Sequence, residues 1–578
     1  MFNKIKLAIK WIKLPGYLLL LLLVLEAWHR SDVGAVIEWV FEQPLAFVIN
    51  LGLFVSCFFL FKALTGRTRV ALWLLSLSLL AFFTGSRIKL NIKGEPLLPW
   101  DFFLGNEAAN IGEHFDLMSL QELAVQIVLL IVFSLIPCFF TNRKVDLKKR
   151  ALVVMFPVIF FLLFFIIKPM SDFSRHTFWH PSINYQVYGV QAGFIYATLE
   201  MTTSTPDMFS EVLIDELLQK YSQVEPPTDV KPNLIFIMNE AFWDPTRLPN
   251  LEFNEDPIPF FRKLQENHTS GELLVPVFGG STANTEFEVL TGNSMHLLPQ
   301  GSLPYSQYIR NRQQSLASVL SEQGYKSVAI HSYLGWFYRR NFVYEQFGFE
   351  QFISSENFID PKYRRGFISD EAVSRRIITE HQHSDQPLFV FAVTMQNHSP
   401  FSINQYDEDR IEVSGLNSTK MTNKMNTYAT GVKDADDSLQ LLIEYFEKEK
   451  EPTVLVFFGD HLPLLDKVYT ETNYIQDLNP KKWSYEEYQK MYSVPFVVWD
   501  NFSNEKESGT YMNSSFLGAF ILEKYGLAQT PFIRFLNEVR RNETPIISVH
   551  EEVNELSDKN YERYELFQYD QLWKKVNR

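Results

Sequence analysis

The sequence predicts two unlike parts: an N-terminal polytopic α-helical membrane domain of five spans, and a C-terminal α/β domain with a central, largely parallel sheet. Three observations predict this. Long apolar runs are confined to the first 170 of the 578 residues. Beyond residue 230, short β-rich apolar runs alternate with helical stretches, the signature of a parallel sheet layered with helices. Charge divides in the same place, with 17 Lys/Arg against 11 Asp/Glu in residues 1–170 and 36 against 56 in the remainder.

The apolar runs lie at 14–28, 45–61, 70–83, 123–140 and 151–167. With flanking positions each approaches the roughly 17–25 residues that cross a hydrocarbon core. The third is the shortest, and a re-entrant segment is its alternative. No small-residue cleavage site follows the first run, so it reads as a span rather than a cleaved signal. Lys4, Lys6, Lys10 and Lys13 precede the first run, Lys62, Arg67 and Arg69 follow the second, and Arg143, Lys144, Lys148, Lys149 and Arg150 follow the fourth. Basic loops stay cytoplasmic, which puts the N-terminus inside and everything after Lys168 outside the plasma membrane. The expected outer loop between spans three and four contains Gly94-Glu95-Pro96-Leu97-Leu98-Pro99-Trp100-Asp101, to which the sequence assigns no role.

Residues 171–230 read as connector helices and a proline-rich linker ending at Pro226, Pro227 and Pro232. The α/β domain is expected over 231–548, and residues 549–578 as a C-terminal tail. An exterior part this acidic is a poor nucleic-acid binder. Both cysteines, Cys57 and Cys138, fall in apolar runs, so the exterior part has no disulfide framework and no cysteine zinc site.

Strand-like runs are read at 234–238, 273–278, 327–330, 388–394, 454–458 and 494–499, and helices at 315–323, 370–381, 428–449 and 514–525. In parallel sheets ligands bind at the carboxyl ends of the strands, so the residues after each run carry the functional interest. Asn239-Glu240 follows the first run. Gly279-Gly280-Ser281-Thr282 follows the second and opens a helix, where Ser281 or Thr282 is either a helix cap or a hydroxyl presented to an anion. His331 follows the third, with Arg339 and Arg340 just beyond, and Asn397-His398-Ser399-Pro400 follows the fourth. Gly459-Asp460-His461 follows the fifth. Glu240, Asp460 and His461 form a mixed O/N donor set suited to Mn²⁺, Mg²⁺ or Zn²⁺. A metal there would lower the pKa of a coordinated Thr282 hydroxyl. His331, Arg339 and Arg340 offer donors to a phosphodiester. Singly, each has an ordinary structural reading, as loop carboxylate, core histidine or solvated cation.

The ordered set Asn239-Glu-Ala-Phe, Gly280-Ser-Thr-Ala-Asn-Thr-Glu-Phe, His331 with Arg340, Asn397-His-Ser-Pro-Phe and Phe458-Gly-Asp-His resembles the lipoteichoic acid synthase family. Its members are polytopic membrane proteins with an extracellular sulfatase-like domain of the alkaline phosphatase superfamily. The resemblance implies that Thr282 is the nucleophile and also a ligand, and that Glu240, Asp460 and His461 complete the ligand set of one Mn²⁺ or Mg²⁺. It further implies that His331, Arg340 and His398 line a glycerophosphate pocket, with Tyr338 where the family typically carries Trp. The donor would be phosphatidylglycerol and the acceptor a hydroxyl of a glycolipid, polymer or surface polysaccharide. Around Glu240 the chain reads Glu-Ala-Phe where the polymerising enzymes usually have Glu-Ser-Phe, which favours a relative that modifies another acceptor. Two alternatives are kept: a phosphoethanolamine transferase, whose usual exterior disulfides are absent here, and a membrane-anchored binding protein without turnover. A sulfatase is disfavoured, because Ser281-Thr282-Ala283-Asn284-Thr285 lacks the Pro and Arg of a Cys/Ser-x-Pro-x-Arg site.

Overall fold

The structure is a computed structural model. It describes residues 2–93, 96–103, 120–142, 144–167, 181–200, 205–206, 208–222, 230–299, 301–401, 405–407, 409–478, 482–503, 505–547 and 555–574. The chain divides into two compact units, Met1–Thr202 and Thr203–Arg578.

In the first unit four of the apolar runs lie on the helices Phe2–Arg30, Pro44–Thr65, Thr68–Lys93 and Leu147–Ile167, and the fourth in chain order lies on Leu120–Leu135 followed by a 3-10 turn at Ile136–Phe139. Among the described residues, Pro44–Thr65 and Thr68–Leu90 are long and apolar enough to cross a membrane, and Ala124–Phe139 is a shorter apolar helix. The run that is weakest in sequence thus belongs to a helix of 26 residues. Its polar end is accommodated by partners: Lys89 pairs with Asp101 at 2.9 Å, and Arg87 donates to the Trp28 carbonyl at 2.5 Å. Asp101 also accepts from the Leu98 N–H at 2.6 Å, so the acidic end of the unassigned outer-loop motif folds that segment back on itself. Leu20, Val48, Trp73, Ile131, Leu152 and Leu162 are exposed on the helices. A surface this apolar is a liability in water and ordinary in lipid.

The helices Pro181–Tyr188 and Val190–Glu200, expected in an exterior connector, lie within the first unit. Buried polar side chains hold them there. Glu26 accepts from the Val190 N–H at 2.8 Å. Asn50 accepts from the Ala192 N–H at 3.1 Å and donates to the Tyr188 carbonyl at 2.6 Å. Between these helices Gly189 has φ 78°, and a Cβ there would stand 2.5 Å from Asn50 Nδ2 and 2.8 Å from Trp39. Only glycine satisfies both the dihedral and the space.

The second unit is built on an eight-stranded sheet. Its strands are β1 (Asn233–Asn239), β3 (Thr269–Leu274), β4 (Lys326–His331), β5 (Gln351–Ile353), β8 (Leu388–Val393), β10 (Thr453–Gly459), β11 (Ser493–Asp500) and β12 (Ser508–Asn513). Two ribbons stand apart from it, β2 (Glu252–Phe253) with β9 (Val413–Ser414) and β6 (Tyr363–Arg364) with β7 (Phe367–Ile368). The order in the main sheet is β12-β3-β11-β10-β1-β8-β4-β5. All neighbours are parallel except β11, which is antiparallel to both β10 and β3. β1, β8 and β10 are buried throughout, as strands covered on both faces must be.

The second strand departs from its sequence reading. β3 ends at Leu274, and residues 275–281 form the loop that enters the helix Thr282–Thr291. Val275 makes one more bond, to the Tyr492 carbonyl. Pro276, lacking an N–H, cannot extend the ladder. At the C-terminus, residues 558–569 form a helix whose Tyr564 hydroxyl donates to the Gly292 carbonyl at 2.6 Å.

Candidate active site

Register decides what meets at the sheet edge. β1 and β10 run parallel with Asn239 opposite Gly459. The next residues, Glu240 and Asp460, therefore leave the sheet side by side. β8 flanks β1 with Val393 opposite Met238 and opposite His331 of β4. The carboxyl ends of β1, β4, β8 and β10 thus deliver Glu240, His331, the segment of His398, and Asp460-His461 to one edge. The turn after β10 is tight: a Cβ on Gly459 would lie 2.1 Å from the Phe242 carbonyl oxygen.

Thr282 reaches this cluster from the helix that follows β3. It is the first helical residue, after Ser281 in the left-handed region (φ 62°). Its side chain does not cap the helix; Oγ1 donates to Asp460 Oδ2 at 2.8 Å. One turn on, Thr285 Oγ1 donates to the Asp460 carbonyl at 2.9 Å. The other carboxylate oxygen, Oδ1, accepts from the N–H groups of Ala241 and His461, each at 2.8 Å. Asp460 is therefore fixed by backbone on one oxygen and turned to the threonine hydroxyl with the other.

Ligating atoms of Glu240, Asp460 and His461 all lie within 4.8 Å of one another, and all three residues are buried. His461 Nδ1 stands 2.9 Å from the Leu462 carbonyl. A carbonyl can only accept, so Nδ1 carries the proton and Nε2 presents a lone pair. That Nε2 stands 3.2 Å from Asp460 Oδ2 and 3.8 Å from Glu240 Oε1, and neither it nor Glu240 Oε2 has a hydrogen-bond partner. Three buried acceptors facing one another are costly alone. Burial, and next the Asp460 carboxylate, push the Glu240 carboxyl well above its ordinary range. A divalent cation would satisfy the lone pairs and relieve the repulsion, so the donor set fits a metal.

The remaining residues form a second cluster beside it. Arg340 is 1% exposed and forms an ion pair with the fully buried Glu286. Its Nε lies 3.1 Å from both carboxylate oxygens, and its Nη1 lies 3.1 Å from His331 Nε2. His331 is itself fully buried, with Nδ1 3.3 Å from the Val393 carbonyl. Burial, followed by the Arg340 charge, holds its pKa far below the histidine norm. The Arg340 guanidinium lies 5.3 Å from the Tyr338 ring. Tyr338 and Arg339 both adopt positive φ, 54° and 56°, a strained pair of the kind that persists where the surroundings enforce it. His398 is half-buried; its Nδ1 bonds the Ser399 carbonyl at 2.6 Å, and burial lowers its pKa to about 4.

Two residues here escape the sequence reading. Glu286 is one, an acid four residues after Thr282 that reads as an ordinary helical position. Arg365 is the other, at the turn of the β6–β7 ribbon with φ 53°. It donates to the carbonyls of Gln396, His398 and Pro400 at 3.2, 3.0 and 2.8 Å, holding the segment that carries His398. The Coulomb influence of both Arg340 and Arg365 reaches Glu240.

A mostly parallel sheet with acids, a histidine and a helix-N-terminal threonine converging at the carboxyl edge defines a sulfatase-like domain of the alkaline phosphatase superfamily. Residues 232–527 match the family described as Sulfatase. The chain belongs to that family. It is 32% identical over 531 residues to a putative cyclic beta-1,2-glucan modification protein of Rhizobium meliloti, covering 88% of this chain and 82% of that one. It is 28% identical over 347 residues to a lipoteichoic acid synthase of Staphylococcus saprophyticus, covering 55% of this chain and 51% of that protein. Among solved structures, a Streptococcus pyogenes phosphoglycerol transferase in complex with sn-glycerol-1-phosphate superposes with TM-score 0.55 at 23% identity, covering 64% of this chain and 95% of that one; this likeness concerns the fold.

Proposed function

We propose that this protein is a metal-dependent phosphoglycerol transferase that takes glycerophosphate from phosphatidylglycerol and delivers it to a hydroxyl of a cell-envelope glycan. The observation that carries the reading is the Thr282 hydroxyl, held 2.8 Å from Asp460 Oδ2 beside the unsatisfied atoms of Glu240 and His461.

Glu240, Asp460, His461 and Thr282 would hold one divalent cation, Mn²⁺ or Mg²⁺. When bound, it supplies Lewis acidity toward a phosphate oxygen and favours the alkoxide of Thr282. The chain's own residues do the rest. Thr282 Oγ1 attacks phosphorus and forms the Thr–O–P bond as the P–O bond to diacylglycerol breaks. The threonine proton passes by way of Asp460 Oδ2 and leaves on the diacylglycerol oxygen. The acceptor hydroxyl then attacks the same phosphorus, its proton returns to Thr282, and the glycerophosphate is transferred. Two in-line displacements give net retention at phosphorus. Arg340 and His398, with Tyr338 at the side, bind and orient the glycerophosphate, while His331 backs Arg340.

The Rhizobium meliloti relative, a putative glucan modification protein, supports a carbohydrate acceptor, as does the Glu240-Ala241-Phe242 sequence. The Streptococcus pyogenes neighbour is a complex with sn-glycerol-1-phosphate, which supports glycerophosphate as the group moved. The five-span arrangement with a cytoplasmic N-terminus belongs to this proposal, because it would present the second unit to the outer leaflet where the lipid donor resides.

The test compares head-group release from phosphatidylglycerol and phosphatidylethanolamine vesicles by the purified full-length protein with Mn²⁺. The proposal expects diacylglycerol from the first only. Equal or preferential turnover of the second would assign the alternative donor.

A further inference from the structure

The nucleophile's helix carries a second acid that the transfer chemistry does not use. Glu286 lies one turn after Thr282 and is completely buried. It accepts from the Arg340 guanidinium along its inner edge, from Nε and Nη2. It also accepts from the Tyr344 hydroxyl at 2.6 Å and the Tyr305 hydroxyl at 3.2 Å. Both phenols are themselves fully enclosed. A carboxylate has about four lone-pair sites, and here all of them are engaged by donors on two separate segments, Arg340 and Tyr344 on one helix and Tyr305 on another. Arg340 in turn points Nη1 at His331 Nε2, 3.1 Å away.

A buried charge pair contributes little net stability compared with apolar packing. Its attested use is to fix geometry, and this one ties a phosphate-class cation to the helix that bears the nucleophile. Resting on the glycerophosphate-transfer reading above, we propose that Glu286 is a positioning residue: through Arg340 it sets the distance between the phosphate-binding guanidinium and the Thr282 hydroxyl, with Tyr305 and Tyr344 fixing its carboxylate. Helix and cation then move as one body. An unpaired arginine at the start of the helix Arg340–Gln346 would sample several rotamers, whereas a bidentate carboxylate holds it in one plane. His331 acts in the same chain of contacts, as the group behind Arg340 rather than a ligand contact.

The probe is inorganic phosphate, titrated into the Mn²⁺-loaded full-length protein, with Mn²⁺ affinity measured separately on each variant. Glu286→Gln is expected to weaken phosphate binding by at least 10-fold while Mn²⁺ affinity stays within 2-fold, because the cation's own ligands are untouched. Glu286→Asp, which keeps the charge, should recover part of the loss. Since Glu286→Gln leaves a buried guanidinium unpaired and can prevent folding, Tyr305→Phe/Tyr344→Phe provides a milder arm, expected to weaken phosphate 3- to 10-fold with Mn²⁺ again unchanged. Phosphate affinity unaltered in the variants, parallel loss of Mn²⁺ and phosphate, or no phosphate binding by the wild type would each overturn the proposal. Head-group release is followed in parallel. If phosphate binding depends on Glu286 but phosphatidylglycerol is not turned over, the positioning role stands and the donor assignment falls.

Discussion

Thr282 and Ser281 show how one position along the chain changes what a hydroxyl meets. Ser281 occupies the cap position in the left-handed region, and its side chain makes no cap bond. Thr282, one residue later, is turned to Asp460. Replacing it with alanine is expected to lower head-group release by roughly 10³-fold or more without unfolding the domain, measured as diacylglycerol formed per mole of folded protein. Glu240→Ala should reduce Mn²⁺ affinity by more than about 100-fold, read by calorimetric titration; unchanged affinity would remove Glu240 from the ligand set. Farther from the site, Glu288 offers a pH prediction. Burial raises its carboxyl to about 7, above the ordinary 4.5, so the folded state keeps a proton that the unfolded state releases. Its stabilising share is complete below pH 4.5 and falls by about 1.4 kcal/mol per pH unit up to pH 7. Glu288→Gln should remove that decline, keeping an acceptor for the Met295 N–H without a charge to bury. Thermal unfolding of both proteins from pH 5 to 8 checks this, and parallel profiles would contradict it.

Among elements, the parallel pair β1–β10 does most to build the site, because its register puts two acids together from points 220 positions apart in the chain. The turn after β10 has no room to give. Gly459→Ala is expected to destabilise the second unit by about 1–3 kcal/mol and to weaken Mn²⁺ binding, since the added Cβ pushes Asp460 away from Phe242; urea unfolding with metal titration measures both. The strands are legible because buried parallel strands are written as continuous apolar runs, and their ends mark the places to look. The end of β3 is not, because Val275 and Val277 extend the apolar pattern past the point where Pro276 breaks the ladder. The pairing of Glu286 with Arg340 is equally hidden, since nothing local in the sequence links positions 286 and 340. The C-terminal helix Asp558–Tyr569 reads as a tail because charged and polar residues interrupt its apolar ones. Its Tyr564, Leu566 and Phe567 are nevertheless buried, and Gln568 brackets Ser294 through N–H and carbonyl at 2.7 and 3.0 Å. Deleting residues 555–578 should therefore lower the unfolding temperature and loosen the C-terminal end of the helix that begins at Thr282, detectable as faster hydrogen exchange at residues 288–294.

At the scale of the whole molecule, the sequence separates an apolar first part from an acidic second part, and the structure draws the division at Thr202/Thr203. The helices of 181–200 fall in the first unit for a reason that composition hides: Glu26 and Asn50, polar residues within apolar runs, are the groups that bind Val190 and Ala192. An apolar helical unit joined to a sulfatase-family unit is consistent with the proposed lipid donor. The central claim is a covalent transfer through Thr282, and intact-protein and peptide mass spectrometry after incubation of the full-length protein with phosphatidylglycerol vesicles and Mn²⁺ tests it most directly. The account predicts a glycerophosphate adduct on the peptide containing Thr282, absent in Thr282→Ala and discharged by an acceptor glycan. An adduct on another residue, or phosphatidylglycerol turnover that persists undiminished in Thr282→Ala, would contradict it.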